Sequence, residues 1–293
     1  MPEENVNVHH TQKAVVRHCY QDMPNYLIET NAEADTDICA IYFSSNGIDA
    51  MCENDEDFER IIVRGNRYEW RKNRVNRARK HIFVRDVFKE FYVEGINNDL
   101  NTCDKLFEFL KSEAKDMKVI TVGSSSGGYA AILFGVLLKA EAVFSFTGQF
   151  SLYHISLQSN PKHDPDHNPL LYRHLNDPGY SKYYHLPTFM LDSSVPIFHL
   201  TTDHRLDYMQ KELVKSYYNV YMFDIRGDDH VFPCYIFNMG DVINSPLEEL
   251  KELSEKYRGS TIGKFMFSVR LSGFFETVRC LIKMKLRAVS TER

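Results

Sequence analysis

Lys118-Val-Ile-Thr-Val-Gly-Ser-Ser-Ser-Gly-Gly-Tyr-Ala-Ala-Ile-Leu-Phe-Gly135 runs from a β-branched apolar segment, through a cluster of small residues, into an apolar helical segment. Gly123, Ser125 and Gly127 complete a Gly-x-Ser-x-Gly pattern in that strand-to-helix context. A tight turn of this kind needs glycine wherever a Cβ would collide with the adjoining strand or helix, and it presents the central serine at a helix N-terminus, where developing negative charge is favoured. Ser125 is therefore the candidate nucleophile. Of the three adjacent serines it alone has glycine two positions before and two after, which leaves Ser124 and Ser126 as the fallback choices. A phosphate-cradling loop is the competing use of such a turn, but neither the lysine of a GxxxxGK[ST] loop nor a GxGxxG run is present.

Outward from this turn, short apolar runs alternate with helical patterns, which predicts an α/β fold with a mostly parallel sheet flanked by helices. Strands are expected at 38–43, 82–85, 119–122, 142–146, 197–200 and 220–223, with helices at 103–114, 127–139 and 207–218. The segment 147–195, rich in His, Tyr, Asn, Asp and Pro, interrupts the rhythm and is expected to be a lid-like insertion over the site. Beyond Asn244 the pattern turns helical, with segments at 247–257 and 262–289. The expected organisation is thus a domain over 1–243 followed by a C-terminal helical extension over 244–293.

A serine hydroxyl needs a general base, and the chain order nucleophile, acid, histidine is available downstream of Ser125. Asp203 follows one predicted strand and His230 follows the next, in the loop Arg226-Gly-Asp-Asp-His230, so both fall at the strand C-termini where such sheets gather their chemistry. His230 is the expected base and Asp203 the expected orienting acid, with Asp207 as its rival; Asp228 and Asp229 are read as turn caps. For an oxyanion hole, the Ser126 N–H is one expected donor. The second is assigned to the loop Ser44-Ser-Asn-Gly47 after an early strand, specifically Ser45 and Asn46.

These motifs, together with Arg85-Asp86 and Phe144-Ser-Phe-Thr-Gly-Gln-Phe-Ser-Leu152, resemble the α/β-hydrolase-like proteins of bacterial surface-polysaccharide (capsule and lipopolysaccharide) biosynthesis clusters, over roughly residues 37 to 235. The resemblance implies an α/β-hydrolase-like fold and a Ser125, Asp203, His230 triad. It also implies addition or removal of acyl groups on a carbohydrate, by an esterase, a deacylase or an O-acyltransferase working through an acyl-enzyme. The alternative is a non-catalytic partner of a glycosyltransferase assembly that has kept the fold alone.

The remaining features bound the partners. A net charge of −5 argues against a nucleic-acid binder. The six cysteines form no CxxC pair, and 1–13 lacks the basic and apolar regions of a secretory leader, so a reducing, cytoplasmic setting is expected. Arg64 to Lys80 is strongly basic around the single acid Glu69; Arg71, Arg74 and Arg77 are candidates for binding an anionic substrate, either a small molecule or a glycan. No resident cofactor is expected, although a transferase would take acetyl-coenzyme A or another acyl donor. His163-Asp-Pro-Asp-His167 matches no familiar metal-ligand spacing, so no metal is expected. The last helix mixes Phe265, Phe267, Leu271, Phe274, Phe275, Leu281 and Ile282 with Lys264, Arg270, Arg279, Lys283, Lys285 and Arg287. That composition is open to core packing, a homodimer contact or peripheral contact with the inner membrane.

Overall fold

The computed structural model describes residues 10–158 and 169–291. Its strands are β1 (Tyr26–Thr30), β2 (Ile38–Phe43), β3 (Lys80–Val84), β4 (Lys118–Ser124), β5 (Ala142–Phe146), β6 (Ile197–Thr202), β7 (Val220–Arg226) and β8 (Thr261–Gly263). They form one eight-stranded sheet in the order β1-β3-β2-β4-β5-β6-β7-β8, parallel except for the β1–β3 edge pair. Each residue of β2 and β5 is buried, as strands covered on both faces require. Side-chain alternation then sends Ile41 and Phe43 into one core and Ala40 and Tyr42 into the other. The helices are α1 (Ala14–Asp22), α2 (Asp55–Phe58), α3 (Cys103–Ala114), α4 (Ser126–Leu137), α5 (Tyr153–Gln158), α6 (Pro169–Arg173), α7 (Pro178–Ser181), α8 (Pro187–Met190), α9 (Arg205–Val214), α10 (Ile236–Asn244), α11 (Leu247–Lys256), α12 (Lys264–Ser272) and α13 (Phe274–Thr291). Residues of α3, α4 and α9 pack in the first core, those of α10, α11 and α12 in the second. The expected α/β-hydrolase-like architecture, a mostly parallel sheet flanked by helices, is present.

Three features differ from expectation. The described part of 147–195 packs on the α3–α4 face: Phe150, Leu152, Tyr183, Tyr184, Leu186 and Met190 are buried in that core, and the Tyr129 hydroxyl donates to the Tyr183 carbonyl at 2.8 Å. The short strand β8 pairs with β7, and Leu250, Ile262 and Phe267 enter the second core, so much of 244–293 completes the sheet layer. The helix expected over 262–289 is split at Gly273, whose φ of 84° is the left-handed conformation that glycine adopts readily. The His163 to His167 run lies outside the described residues.

Candidate active site

β4 lies centrally between β2 and β5 and delivers Ser125 to the start of α4, a helix buried almost throughout. Ser125 has φ 51° and ψ −120°, a conformation costing a non-glycine residue on the order of 1–3 kcal/mol. The flanking glycines make this turn feasible. A Cβ on Gly123 would lie 2.0 Å from the Gly127 carbonyl oxygen, and one on Gly127 would lie 2.3 Å from the Phe43 carbonyl oxygen. Neither obstacle is a side chain that could swing away. The Ser125 N–H donates to the Phe146 carbonyl at 2.8 Å, locking the turn to β5.

The Ser125 hydroxyl lies 3.0 Å from His230 Nε2, and His230 Nδ1 lies 2.7 Å from Asp207 Oδ1. Asp207 is buried, and its other oxygen accepts from the Thr202 hydroxyl at 2.7 Å. The acid expected beside His230 is therefore corrected. Asp203 is exposed and points back to the β7 turn, where the Gly227 N–H reaches its Oδ2 at 3.4 Å. The cause is local: β6 continues to Thr202, so Asp203 opens the surface turn while Asp207, in the first turn of α9, faces inward. His230 is held by its own backbone, since the Thr147 hydroxyl donates to its carbonyl at 2.7 Å. Asp229 caps the turn by accepting the Val231 and Phe232 N–H groups, each at 3.0 Å. His204 lies beside His230, and ligand atoms of His204, Asp207 and His230 fall within 4.8 Å of one another. Both His230 nitrogens and both Asp207 oxygens are already hydrogen-bonded, so a cation there would have to break the Ser125–His230–Asp207 line.

The oxyanion loop departs from expectation more sharply. Loop 44–47 does sit against the nucleophile turn, with the Asn46 N–H donating to Ser126 Oγ at 2.8 Å. Yet the Ser45 N–H donates to Glu69 Oε2 at 2.7 Å and the Ser45 hydroxyl to Glu69 Oε1 at 3.0 Å. Both loop N–H donors are thus satisfied internally. The Ser126 N–H, at the start of α4, is among the groups that a helix N-terminus leaves without an intrahelical acceptor. Burial pushes the Glu69 carboxyl above its ordinary range, partly countered by the two hydrogen bonds from Ser45.

A cavity of about 630 Å³ opens beside the site, lined by Ser45 and Ser124 on one side and by Val231 and Phe232 next to His230. Its other wall is the irregular segment after Gly65, which contributes Arg67, Glu69, Arg71 and Lys72. This segment is anchored by Arg85, fully buried, whose Nη1 donates to the Ile62 and Arg67 carbonyls at 2.8 and 3.0 Å. Of the three arginines expected to bind substrate, Arg71 alone lines the cavity. Arg74 is drawn away by Glu29 at 2.6 Å and lies over the Phe83 ring, while Arg77 is outside the lining. Arg67 and Lys72 take their places. No described residue of 147–195 lines this cavity, because that segment packs its aromatic residues on the opposite face of the sheet.

No protein-family profile and no curated protein sequence matches the chain. Solved structures do align with much of it. The capsule O-acetyltransferase of Neisseria meningitidis serogroup A is 13% identical, covering 79% of this chain and 89% of its own, with a TM-score of 0.47. Est1E from Butyrivibrio proteoclasticus is 14% identical over 79% of this chain and 93% of its own, also with a TM-score of 0.47. MenH from S. aureus is 11% identical over 80% of this chain and 97% of its own, with a TM-score of 0.43. Likeness at this level says nothing about substrate or activity.

Proposed function

We propose that the protein is a serine-dependent acyl-transfer enzyme with Ser125 as nucleophile, His230 as general base and Asp207 as orienting acid. The observation that carries this reading is the continuous hydrogen-bonded line from Ser125 through His230 to Asp207, on a turn whose glycines admit no Cβ. In the first half-reaction Ser125 Oγ attacks the acyl carbonyl carbon while His230 Nε2 takes the hydroxyl proton. The tetrahedral oxyanion is held by the Ser126 N–H and by a second donor, for which the Ser45 N–H becomes available once Glu69 releases it. Collapse expels the leaving group, which takes the proton from His230, and leaves acyl-Ser125. Water or a sugar hydroxyl then gives its proton to His230 Nε2 as its oxygen attacks the acyl carbon, and collapse breaks the acyl–Oγ bond while His230 returns the proton to Ser125 Oγ. Asp207 accepts from Nδ1–H throughout, fixing the tautomer that leaves Nε2 free to act as base.

The reaction is either ester hydrolysis or O-acylation, with a carbohydrate of a surface polysaccharide as the acyl-bearing or acyl-accepting molecule. Arg67, Arg71 and Lys72 suit a substrate or donor with an anionic portion, such as the phosphates of acetyl-coenzyme A. The test is intact and peptide mass spectrometry after incubation with acetyl-coenzyme A or an activated ester. An acetyl increment is expected on Ser125 and is expected to vanish in Ser125→Ala. An increment that survives Ser125→Ala, or none from either donor, would refute the reading.

A further inference from the structure

Among the described residues no helix is long and apolar enough to cross a membrane. The α12–α13 hairpin nevertheless leaves a large apolar surface uncovered. Phe267 and Ser268 of α12 are buried, and the Ser268 hydroxyl meets the Thr277 hydroxyl at 2.9 Å, which ties the first turn of α13 down. Past that turn, Ile282 to Leu286 are all exposed. Phe275 is 87% exposed, Ile282 54% and Leu286 65%. Separated by seven and four positions, these three recur along one stripe of a helix with 3.6 residues per turn. At the near end the stripe widens into a cluster, with Phe274 in edge contact with both Phe275 and the exposed Phe265 of α12.

Cations flank this stripe on both sides. By helical position Arg279 and Lys283 fall along one border and Lys285 along the other. Arg279 is paired with Glu276, but Lys283 and Lys285 make no ion pair with a described residue. On a chain of net charge −5, this is a positive, apolar face turned outward. Its charge selects among occupants. A second copy packed stripe to stripe would bring like charges together, whereas anionic headgroups would meet the lysines while the phenylalanines and leucine entered the acyl boundary, the lysine stems lying along the apolar surface. We propose that the α12–α13 hairpin docks on the surface of a bilayer containing anionic lipid. The docking face is joined to the candidate active site, because Lys264, the first residue of α12, donates to the Phe232 carbonyl at 2.7 Å and lies 3.4 Å from Asp229, both within two residues of His230.

The test is flotation of the full chain with phosphatidylcholine vesicles, with and without phosphatidylglycerol. Each cation at an anionic surface contributes about 1 kcal/mol, so two unpaired lysines predict roughly thirtyfold tighter binding to the mixed vesicles. Lys283→Glu with Lys285→Glu is expected to abolish that preference. Phe275→Ser with Ile282→Ser is expected to weaken binding to vesicles of either composition. All four positions are exposed, so an unchanged melting temperature is expected and shows that each variant is folded. Absence of binding to mixed vesicles, or undiminished binding by either folded variant, would overturn the proposal. So would a wild-type dimer, seen by light scattering, that Phe275→Ser dissolves without any vesicle binding. None of these readouts depends on catalysis.

Discussion

Replacing Asp207 by Asn tests the candidate site at its most specific point. The Asp207 carboxylate is 2% exposed, accepts from His230 Nδ1 at 2.7 Å and from the Thr202 hydroxyl at 2.7 Å, and so presents one oxygen to each donor. An amide preserves the shape but has only one oxygen. With that oxygen facing the Thr202 hydroxyl, its NH2 faces His230 and favours the tautomer protonated at Nε2, which cannot accept the Ser125 proton. In serine triads the wrong tautomer costs about 10⁴ in kcat, or about 5 kcal/mol of transition-state stabilisation. Asp203→Asn alters an exposed carboxylate whose contact is one long bond from the Gly227 N–H, and is expected to leave kcat within about threefold, as a surface change away from the chemistry should. The assay is hydrolysis of an activated aryl ester, together with the rate at which a fluorophosphonate labels Ser125, on variants whose thermal unfolding matches the wild type. If Asp207→Asn stays within about tenfold of wild type, the Asp207–His230 contact is not catalytic. If Asp203→Asn falls as far as Asp207→Asn, the orienting role assigned to Asp207 alone is wrong.

Glu69→Ala is expected to free the Ser45 N–H and accelerate Ser125 acylation, by at most the 10²–10³, roughly, that one oxyanion donor is worth; slower acylation by a folded variant would show that Glu69 supports the site instead of obstructing it. His199, buried on β6 against the Ser145 hydroxyl at 3.2 Å, has its pKa lowered to about 4 by burial, so in mild acid the unfolded chain takes up a proton that the folded chain refuses. Its contribution is present above the unfolded value near 6.5 and is lost as pH falls through about 4, on the order of 3 kcal/mol in all. Urea midpoints at pH 7 and pH 4.5 are expected to show this loss, and His199→Gln is expected to reduce the difference between them; an equal difference in the variant would remove His199 as its source.

The parallel core was legible because strands buried on both faces read as near-continuous apolar runs, and β2, Val119 to Val122 of β4 and β5 do so, interrupted only by Thr121 and Ser145, while β6 still opens on Ile197 and Phe198 before His199. The sheet's edges were not. β1 is half-buried and carries Glu29, while β8 has three residues, Thr-Ile-Gly, too few for a periodic signal. The insertion misled through composition: its tyrosines look polar in a count, yet Tyr183 and Tyr184 are buried with their hydroxyls satisfied by Asp104 and the Leu171 carbonyl. Chain order likewise could not separate Asp203 from Asp207, since both follow β6 and precede His230. The choice turns on where β6 ends and which way α9 faces, and both are tertiary facts.

Tertiary pairing also decides which charges of the basic segment reach the cavity. Counted as charge, 64–80 is a cationic patch, and its arginines look interchangeable. In the fold they are sorted by their partners: Glu29, more than forty positions away, takes Arg74 and part of Arg71, Glu113 takes Lys80, and the nearby Glu59 takes Arg64. Arg67, Lys72 and the partly engaged Arg71 are left facing the cavity, around the one residue of opposite sign. Glu69 is 24 positions from Ser45, so no local pattern could pair them, yet that pairing occupies the N–H proposed as the second oxyanion donor. If an anionic portion of a substrate is drawn to Arg67 and Lys72, it enters the cavity beside a carboxylate that repels it, and the repulsion would be relieved by the Glu69 carboxylate swinging away from the anion and thereby from Ser45. Charge on the substrate would then help to assemble the site that acts on it.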